Sequence, residues 1–280
     1  MSTVNCNGKS LDLSVPAVMG ILNMTSDSFF DGGRYLTISS QVQRAGQMLA
    51  EGAGIIDIGA VSTRPGASEV SCEEELDRLI PSLKAIRKDF PAAILSVDTF
   101  RPAVARAAVE EGADMINDIY GGRFEAGMME TVAYLKVPYI IMHMKGRPGN
   151  MQENPTYSDI IAEITYFFEK QLAEARNHGI RDIIIDPGFG FGKSIEHNYR
   201  LLSGLESLQS LEVPILAGLS RKTMIHRVLG TDPAHALNGT SVLQTIALMK
   251  GAGILRSHDV KEAVEAVTLL EILKKNSQEQ

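Results

Sequence analysis

The chain has 280 residues, 44% of them hydrophobic and 22% charged, with a mean hydropathy of +0.00. This is a globular composition with enough chain for a large core. A formal charge of −7 and a pI near 5.4 argue against non-specific nucleic-acid binding, whose affinity comes from basic side chains on phosphates. A local basic pocket for an anionic substrate stays open. No apolar run approaches the ~20 residues of a membrane span. Residues 1–14 lack the basic-then-apolar order of a signal peptide. Cys6 and Cys72 stand outside any metal-binding spacing, so a cytoplasmic protein with two unpaired thiols is expected.

In chain order, residues 18–23 (VMGILN) form the first of eight short apolar runs that read as buried strands of a parallel sheet. This strand runs into 23–33, small polar residues and glycine around Phe29 and Phe30. The segment suits a loop that closes over ligand, or an ordinary strand-to-helix turn. Asn23 at the strand end offers a neutral oxygen, suited to Mg2+ that keeps most of its waters and shares phosphate oxygens.

The second run, 55–59 (IIDIG), precedes Ser62, Thr63, Arg64, Pro65, Gly66 and Ala67. An arginine beside two hydroxyls is a candidate anion-binding loop. The third, 93–98 (AILSVD), ends in Asp98, and a helical pattern over 101–112 follows an Asp-Thr cap signal. The fourth, 115–119 (MINDI), carries Asn117 and Asp118. The fifth, 139–143 (YIIMH), ends at His143, which is placed behind the ligand-facing groups. A helix over 158–179 comes next.

The sixth run, 182–186 (DIIID), opens into a glycine-rich segment ending in Lys193 and Ser194. It is no phosphate-binding P-loop, because Pro187 stands where the first glycine is needed. The repeated glycines let the backbone pass close to a flat ligand, with Phe189 and Phe191 available to pack on it. The seventh, 214–218 (PILAG), leads to Ser220, Arg221, Lys222 and Thr223 at a predicted helix start. Two cations and a helix N-terminus make an anion site; Lys222 suits a carboxylate, a phosphate or a heterocycle carbonyl. The eighth, 253–256 (GILR), leads through Arg256 to His258 and a helix over 259–275. The loops after strands seven and eight are a common phosphate site in barrels.

Eight strand-then-helix units predict a single parallel (β/α)8 TIM barrel over 1–280, with an N-terminal extension. Nearly every strand ends in polar residues: Asn23, Asp57, Asp98, Asn117 with Asp118, His143, Asp186, Ser220 with Arg221, and Arg256 with His258. In a parallel barrel these ends share one face, where active sites of this fold lie. Any single aspartate there is equally well a helix N-cap. Asp98, Asn117 and Asp186 together suit the donors and acceptors of an aminopyrimidinone; structural caps and a carboxylate metal site are the competing readings. His178, His197, His226 and His235 read as surface or cap residues.

The motifs GILNMTSDSFFDGG, DIGAVSTRPGA, SVDTF, INDIYGG, MHMKG, DPGFGFGK, LSRKTMI and RSHDVKE occur in order from Gly20 to Glu262. Jointly they resemble the dihydropteroate synthase family. The resemblance implies condensation of 6-hydroxymethyl-7,8-dihydropterin diphosphate with p-aminobenzoate in folate biosynthesis. It further implies Mg2+ as cofactor, a homodimer and sulfonamides as inhibitors. By resemblance, Asn23 contacts the metal, and Asp98, Asn117, Met142, Asp186, Phe191, Gly218 and Lys222 hold the pterin. Asn23, Thr63, Arg64, Arg256 and His258 serve the diphosphate. Phe29, Pro65, Phe191, Lys222 and Thr223 form the aminobenzoate pocket. Asp98, Lys222, Arg256 and His258 carry the catalytic role. Phe30, Val61 and Thr223 depart from residues the family often has there. The runner-up reading is a pterin-binding methyltetrahydrofolate methyltransferase domain, against which the NMTSDSF and SRKT elements argue. A catalytically inactive pterin-binding module is the non-enzyme alternative.

Overall fold

The computed structural model describes residues 3–24, 37–61, 70–146, 151 and 154–277. The N-terminal extension is a hairpin of β1 (Thr3–Cys6) and β2 (Lys9–Asp12), paired antiparallel from Thr3↔Asp12 to Cys6↔Lys9. Asn7 and Gly8 turn it, both at positive φ (51° and 86°), as a two-residue hairpin turn requires.

Eight parallel strands follow: β3 (Ala17–Asn23), β4 (Ile55–Gly59), β5 (Ile94–Asp98), β6 (Met115–Asp118), β7 (Tyr139–Met142), β8 (Ile183–Asp186), β9 (Leu216–Ala217) and β10 (Ile254–Ser257). Their order in the sheet is β8-β7-β6-β5-β4-β3-β10-β9. A bridge between Ile185 and Ile215 joins the two ends, with Ile185 N–H donating to the Pro214 carbonyl at 3.0 Å. The sheet is thus a nearly closed barrel, as the eight units predict. Around it lie α1 (Ile38–Ala50), α2 (Cys72–Asp89), α3 (Pro102–Glu110), α4 (Met128–Leu135), α5 (Ile160–Asn177), α6 (Ile195–Ser203), α7 (Thr223–His226), α8 (Leu237–Met249) and α9 (Val260–Ser277).

Strand alternation sorts the core into two parts. Outward residues such as Leu22, Ile56, Val97, Ile141 and Ile185 pack under the helices. Inward residues Met19, Ile55, Ile94, Met115, Ile140, Ile184, Leu216 and Ile254 form a bottom layer, which Val4, Cys6 and Leu11 of the hairpin cover. Lys9 Nζ fastens the hairpin to buried Asp114 (2.7 Å), which Arg87 also holds. One step up, the inward positions of β4, β5, β6, β8 and β10 turn polar: Asp57, Ser96, Asn117, Asp186 and Arg256. The bottom is therefore sealed and apolar, and chemistry is confined to the other end.

Two local expectations need correction. The helix over 101–112 is not capped by the Asp-Thr pair: Arg101 is its N-cap with no side-chain bond, and Pro102 starts it. Asp98 points instead into the barrel mouth, and the Thr99 hydroxyl donates to Glu75 (2.7 Å). Nor does Arg221 supply a second cation to an anion site. It is buried, bidentate on Asp259 (2.9 and 2.8 Å), and donates to the Pro233 and Ala234 carbonyls. The helix after it, α7, has only four residues.

Candidate active site

The mouth is built on one carboxylate. Asp57, fully buried at mid-strand in β4, accepts from Arg256 Nε (2.6 Å) and Asn117 Nδ2 (3.0 Å). Arg256 also donates from Nη2 to Asp98 Oδ2 (2.9 Å). One guanidinium thus joins β10 to both β4 and β5, a planar fork matched to two acids. Burial raises the Asp98 carboxyl to about 7; Arg256 opposes the rise and Asp57 adds to it. Asp57 Oδ1 and Ser96 Oγ, paired in register, are buried without a hydrogen-bond partner among the described residues. Such atoms are satisfied by water or by a polar ligand.

Opposite lies a second cluster. Asp186 accepts from Gly188 N–H (2.7 Å), and burial raises its carboxyl against the pull of Lys222. A Cβ on Gly218 would sit 3.7 Å from Lys222 Nζ and 3.8 Å from Asp186 Oδ2. Glycine therefore leaves that space to a ligand. Lys222 Nζ donates to the Phe189 carbonyl and lies 4.6 Å from the Phe191 ring centre. Burial lowers this ammonium to about 8, Asp186 opposing and Arg256 assisting. Met142, Met144, Met151, Ile119, Tyr120 and Phe100 make an apolar wall against which Phe191 packs. A polar edge and an apolar wall at one concave site suit a flat heterocycle with a hydrogen-bonding rim.

Towards the rim, the His258 ring meets Ser220 Oγ (3.0 Å), and its carbonyl accepts from Arg44 (2.8 Å). Thr223 begins α7 on the exposed side of Lys222. Asn23 Oδ1 and Asp98 Oδ2 each lie 3.8 Å from the point a Cβ on Gly59 would take. Among the described residues no group of three or more acidic, histidine or cysteine side chains could cage a metal. The neutral Asn23 oxygen could serve a Mg2+, an ion that needs no such all-protein cage.

The model of the pterin binding enzyme family matches residues 19–258. The chain is 48% identical over 266 residues to dihydropteroate synthase of Escherichia coli (strain K12), covering 94% of each protein. The chain belongs to the dihydropteroate synthase family. Its fold superposes on a Yersinia pestis dihydropteroate synthase solved in a sulfonamide drug complex, with a TM-score of 0.94, 44% identity and coverage of 98% and 99%. It also matches a Xanthomonas albilineans dihydropteroate synthase solved with 4-aminobenzoic acid, with a TM-score of 0.90, 43% identity and 98% of both chains covered.

In this dihydropteroate synthase family member, Asp98, Asn117, Met142, Asp186, Phe191, Gly218, Lys222, Arg256 and His258 all reach the same end of the barrel. Phe29, Phe30, Thr63, Arg64 and Pro65 lie outside the described residues. Three groups in the site had no role assigned from sequence. Asp57 had a signal, being an acid flanked by isoleucines within a strand. Ser96 had none. Lys193, set aside with the failed P-loop pattern, is fully enclosed and bonded to His143 Nδ1 (3.0 Å).

Proposed function

We propose that the barrel mouth condenses 6-hydroxymethyl-7,8-dihydropterin diphosphate with p-aminobenzoate, giving 7,8-dihydropteroate and pyrophosphate. The supporting observation is the ring of Asp98, Asn117, Asp186 and Lys222 set above an otherwise isoleucine-lined barrel. Buried acids and an amide tolerate a ligand that returns their hydrogen bonds. The aminopyrimidinone edge of a pterin supplies those partners, and Phe191 with Met142 packs on its faces.

In the reaction the bond from the pterin's exocyclic methylene to the diphosphate oxygen breaks, and the electron pair leaves with pyrophosphate. The aromatic amine bonds to the methylene and then loses a proton to solvent or to the leaving group. Positive charge developing on the pterin is stabilised by Asp98 and Asp186 at low local dielectric. Arg256 Nη1, without a bond among the described residues, and His258 face the departing oxyanion, a role the family resemblance also gives to Arg64 and Thr63. Asn23 would hold Mg2+, which when bound would supply charge neutralisation to the leaving group. Lys222, Thr223 and Phe191 bound the aminobenzoate, a role the family resemblance also gives to Pro65 and Phe29. A weakly basic aromatic amine needs little general-base help, so no strong base is required.

The enzyme acts as a homodimer in this reading. Val242, Ile246 and Met249 are exposed on one face of α8, and Leu269, Ile272 and Leu273 on one face of the adjoining α9. Large exposed apolar patches mark interaction surfaces and are uncommon on monomers, and a second copy of the chain is the occupant in this reading. No described helix is long and apolar enough to cross a membrane. The free thiols of Cys6 and Cys72 support a reducing, cytoplasmic compartment.

The deciding experiment is incubation with pterin diphosphate, Mg2+ and p-aminobenzoate. Pyrophosphate release that depends on p-aminobenzoate is expected. Its absence, or methyl transfer from methyltetrahydrofolate to a corrinoid, refutes the proposal.

A further inference from the structure

The segment between β8 and α6 is bound from inside by one side chain. Lys193 Nζ lies 2.9 Å from the Gly188 carbonyl, 3.1 Å from the Phe191 carbonyl and 3.0 Å from His143 Nδ1. The side chain is 2% exposed, too enclosed to reach a ligand. These three acceptors match the three hydrogens of an ammonium, and the His143 carbonyl lies farther off at 3.4 Å. The same atoms satisfy a neutral amine whose lone pair accepts from the His143 ring, so the tether holds in either protonation state.

The segment lies close against the end of β7. A Cβ on Gly188 would fall 2.0 Å from the His143 carbonyl oxygen, and one on Gly192 would fall 2.2 Å from that of Lys145. Both glycines are at positive φ (69° and 61°). Asn198 accepts from Gly190 N–H (2.7 Å), and Tyr157 donates to the Gly192 carbonyl (2.8 Å). The result is a rigid turn pressed against the strand, with Lys193 as its internal pin.

That turn is what Lys222 rests on. The Phe189 carbonyl accepts from Lys222 Nζ, the Phe191 ring lies beneath the same ammonium, and Gly190 runs along the lysine stem, its Cβ position 3.2 Å from Lys222 Cδ. We infer that Lys193 is a positioning residue, which holds the 188–192 turn so that the Phe189 carbonyl and the Phe191 ring aim Lys222 at the pterin. This rests on the proposed role of Lys222. A buried lysine left without acceptors is costly, and here the cost is offset by the bonds it makes. Burial draws the His143 imidazole down to about 2, with Lys193 adding to the fall, which keeps Nδ1 free to pair.

The test is a double-mutant cycle on pterin diphosphate affinity, read by calorimetry with Mg2+ present in the unmodified protein, Lys193→Met, Lys222→Ala and the double variant. Methionine fills the space and removes the donors. Lys193→Met is expected to bind about tenfold more weakly, and the double variant within about threefold of Lys222→Ala, because both act on one contact. Lys193→Gln, which keeps two N–H donors, is expected to fall between Lys193→Met and the unmodified protein. Wild-type affinity in folded Lys193→Met, or losses that multiply in the double variant, overturns the inference. Should Lys193→Met not fold, Lys193→Gln enters the same cycle, with wild-type affinity or multiplying losses again overturning it. Turnover by the unmodified protein separates the two readings. If it releases pyrophosphate while Lys193→Met binds normally, only the positioning role falls; if it binds no pterin, both fall.

Discussion

Arg256 Nη2 donates to Asp98 Oδ2 at 2.9 Å, bringing the cation of β10 to the carboxylate of β5 across two intervening strands. Residues 158 positions apart in sequence are thereby locked at the centre of the mouth. Burial acts most strongly on each, and each is then held charged by the other while Asp57 beneath them favours the Arg256 cation.

Removing these charges is expected to abolish most turnover without unfolding the barrel. Asp98→Asn and Lys222→Ala should each lower kcat/KM by about 10²–10³, the usual cost of a lost electrostatic contact at a reacting centre. Steady-state pyrophosphate release, with circular dichroism as the control for folding, checks this. Near-normal rates in both variants would remove them from the mechanism.

The pH dependence follows from the same groups. With Asp98 needed as carboxylate and raised to about 7, kcat/KM should rise through that pH; with Lys222 needed as ammonium and lowered to about 8, it should fall above it. Stability runs differently. A carboxyl raised from its unfolded value stabilises the fold below about pH 4, and that contribution disappears as pH rises through about 7. Lys222, lowered when folded, contributes above its unfolded value and loses that contribution as pH falls through about 8. Urea titrations of Asp98→Asn should therefore show a weaker decline between pH 4 and 7 than the unmodified protein.

Asp57 is expected to matter for both stability and catalysis. Asp57→Ala strips Arg256 of its closer partner and should cost about 3 kcal/mol, the low end for breaking a buried pair, because Asp98 remains. Chemical denaturation measures that loss, and a parallel fall in kcat/KM checks that Arg256 has lost its aim.

At the other end of the barrel the two effects should separate. Leu11→Ala opens a void under the hairpin and is expected to cost about 2–3 kcal/mol, leaving KM for both substrates unchanged. A change in KM would mean the bottom layer communicates with the mouth.

The dimer proposal is tested by charge on the apolar face. Ile246→Asp combined with Leu269→Asp should shift sedimentation from dimer to monomer. A monomeric unmodified protein, or a dimer indifferent to both changes, would refute that interface.

The order of strands and helices was legible because buried parallel strands are written as uninterrupted apolar runs. IIDIG became β4 without shift, and MINDI and DIIID gave β6 and β8 within a residue at their ends. The polar strand ends were legible too, and they converge. Which of them face a ligand was not. Asp98 and Arg221 look alike in sequence as charges beside a predicted helix start. One turns into the mouth and the other is consumed by Asp259, 38 positions away. Asp57 and Lys193 were given no role for the same reason, since their partners Arg256 and His143 come from distant parts of the chain. Local periodicity fixes the period of burial and hence the barrel. The direction and charge of a buried polar side chain depend on which distant donor meets it, and only barrel closure decides that.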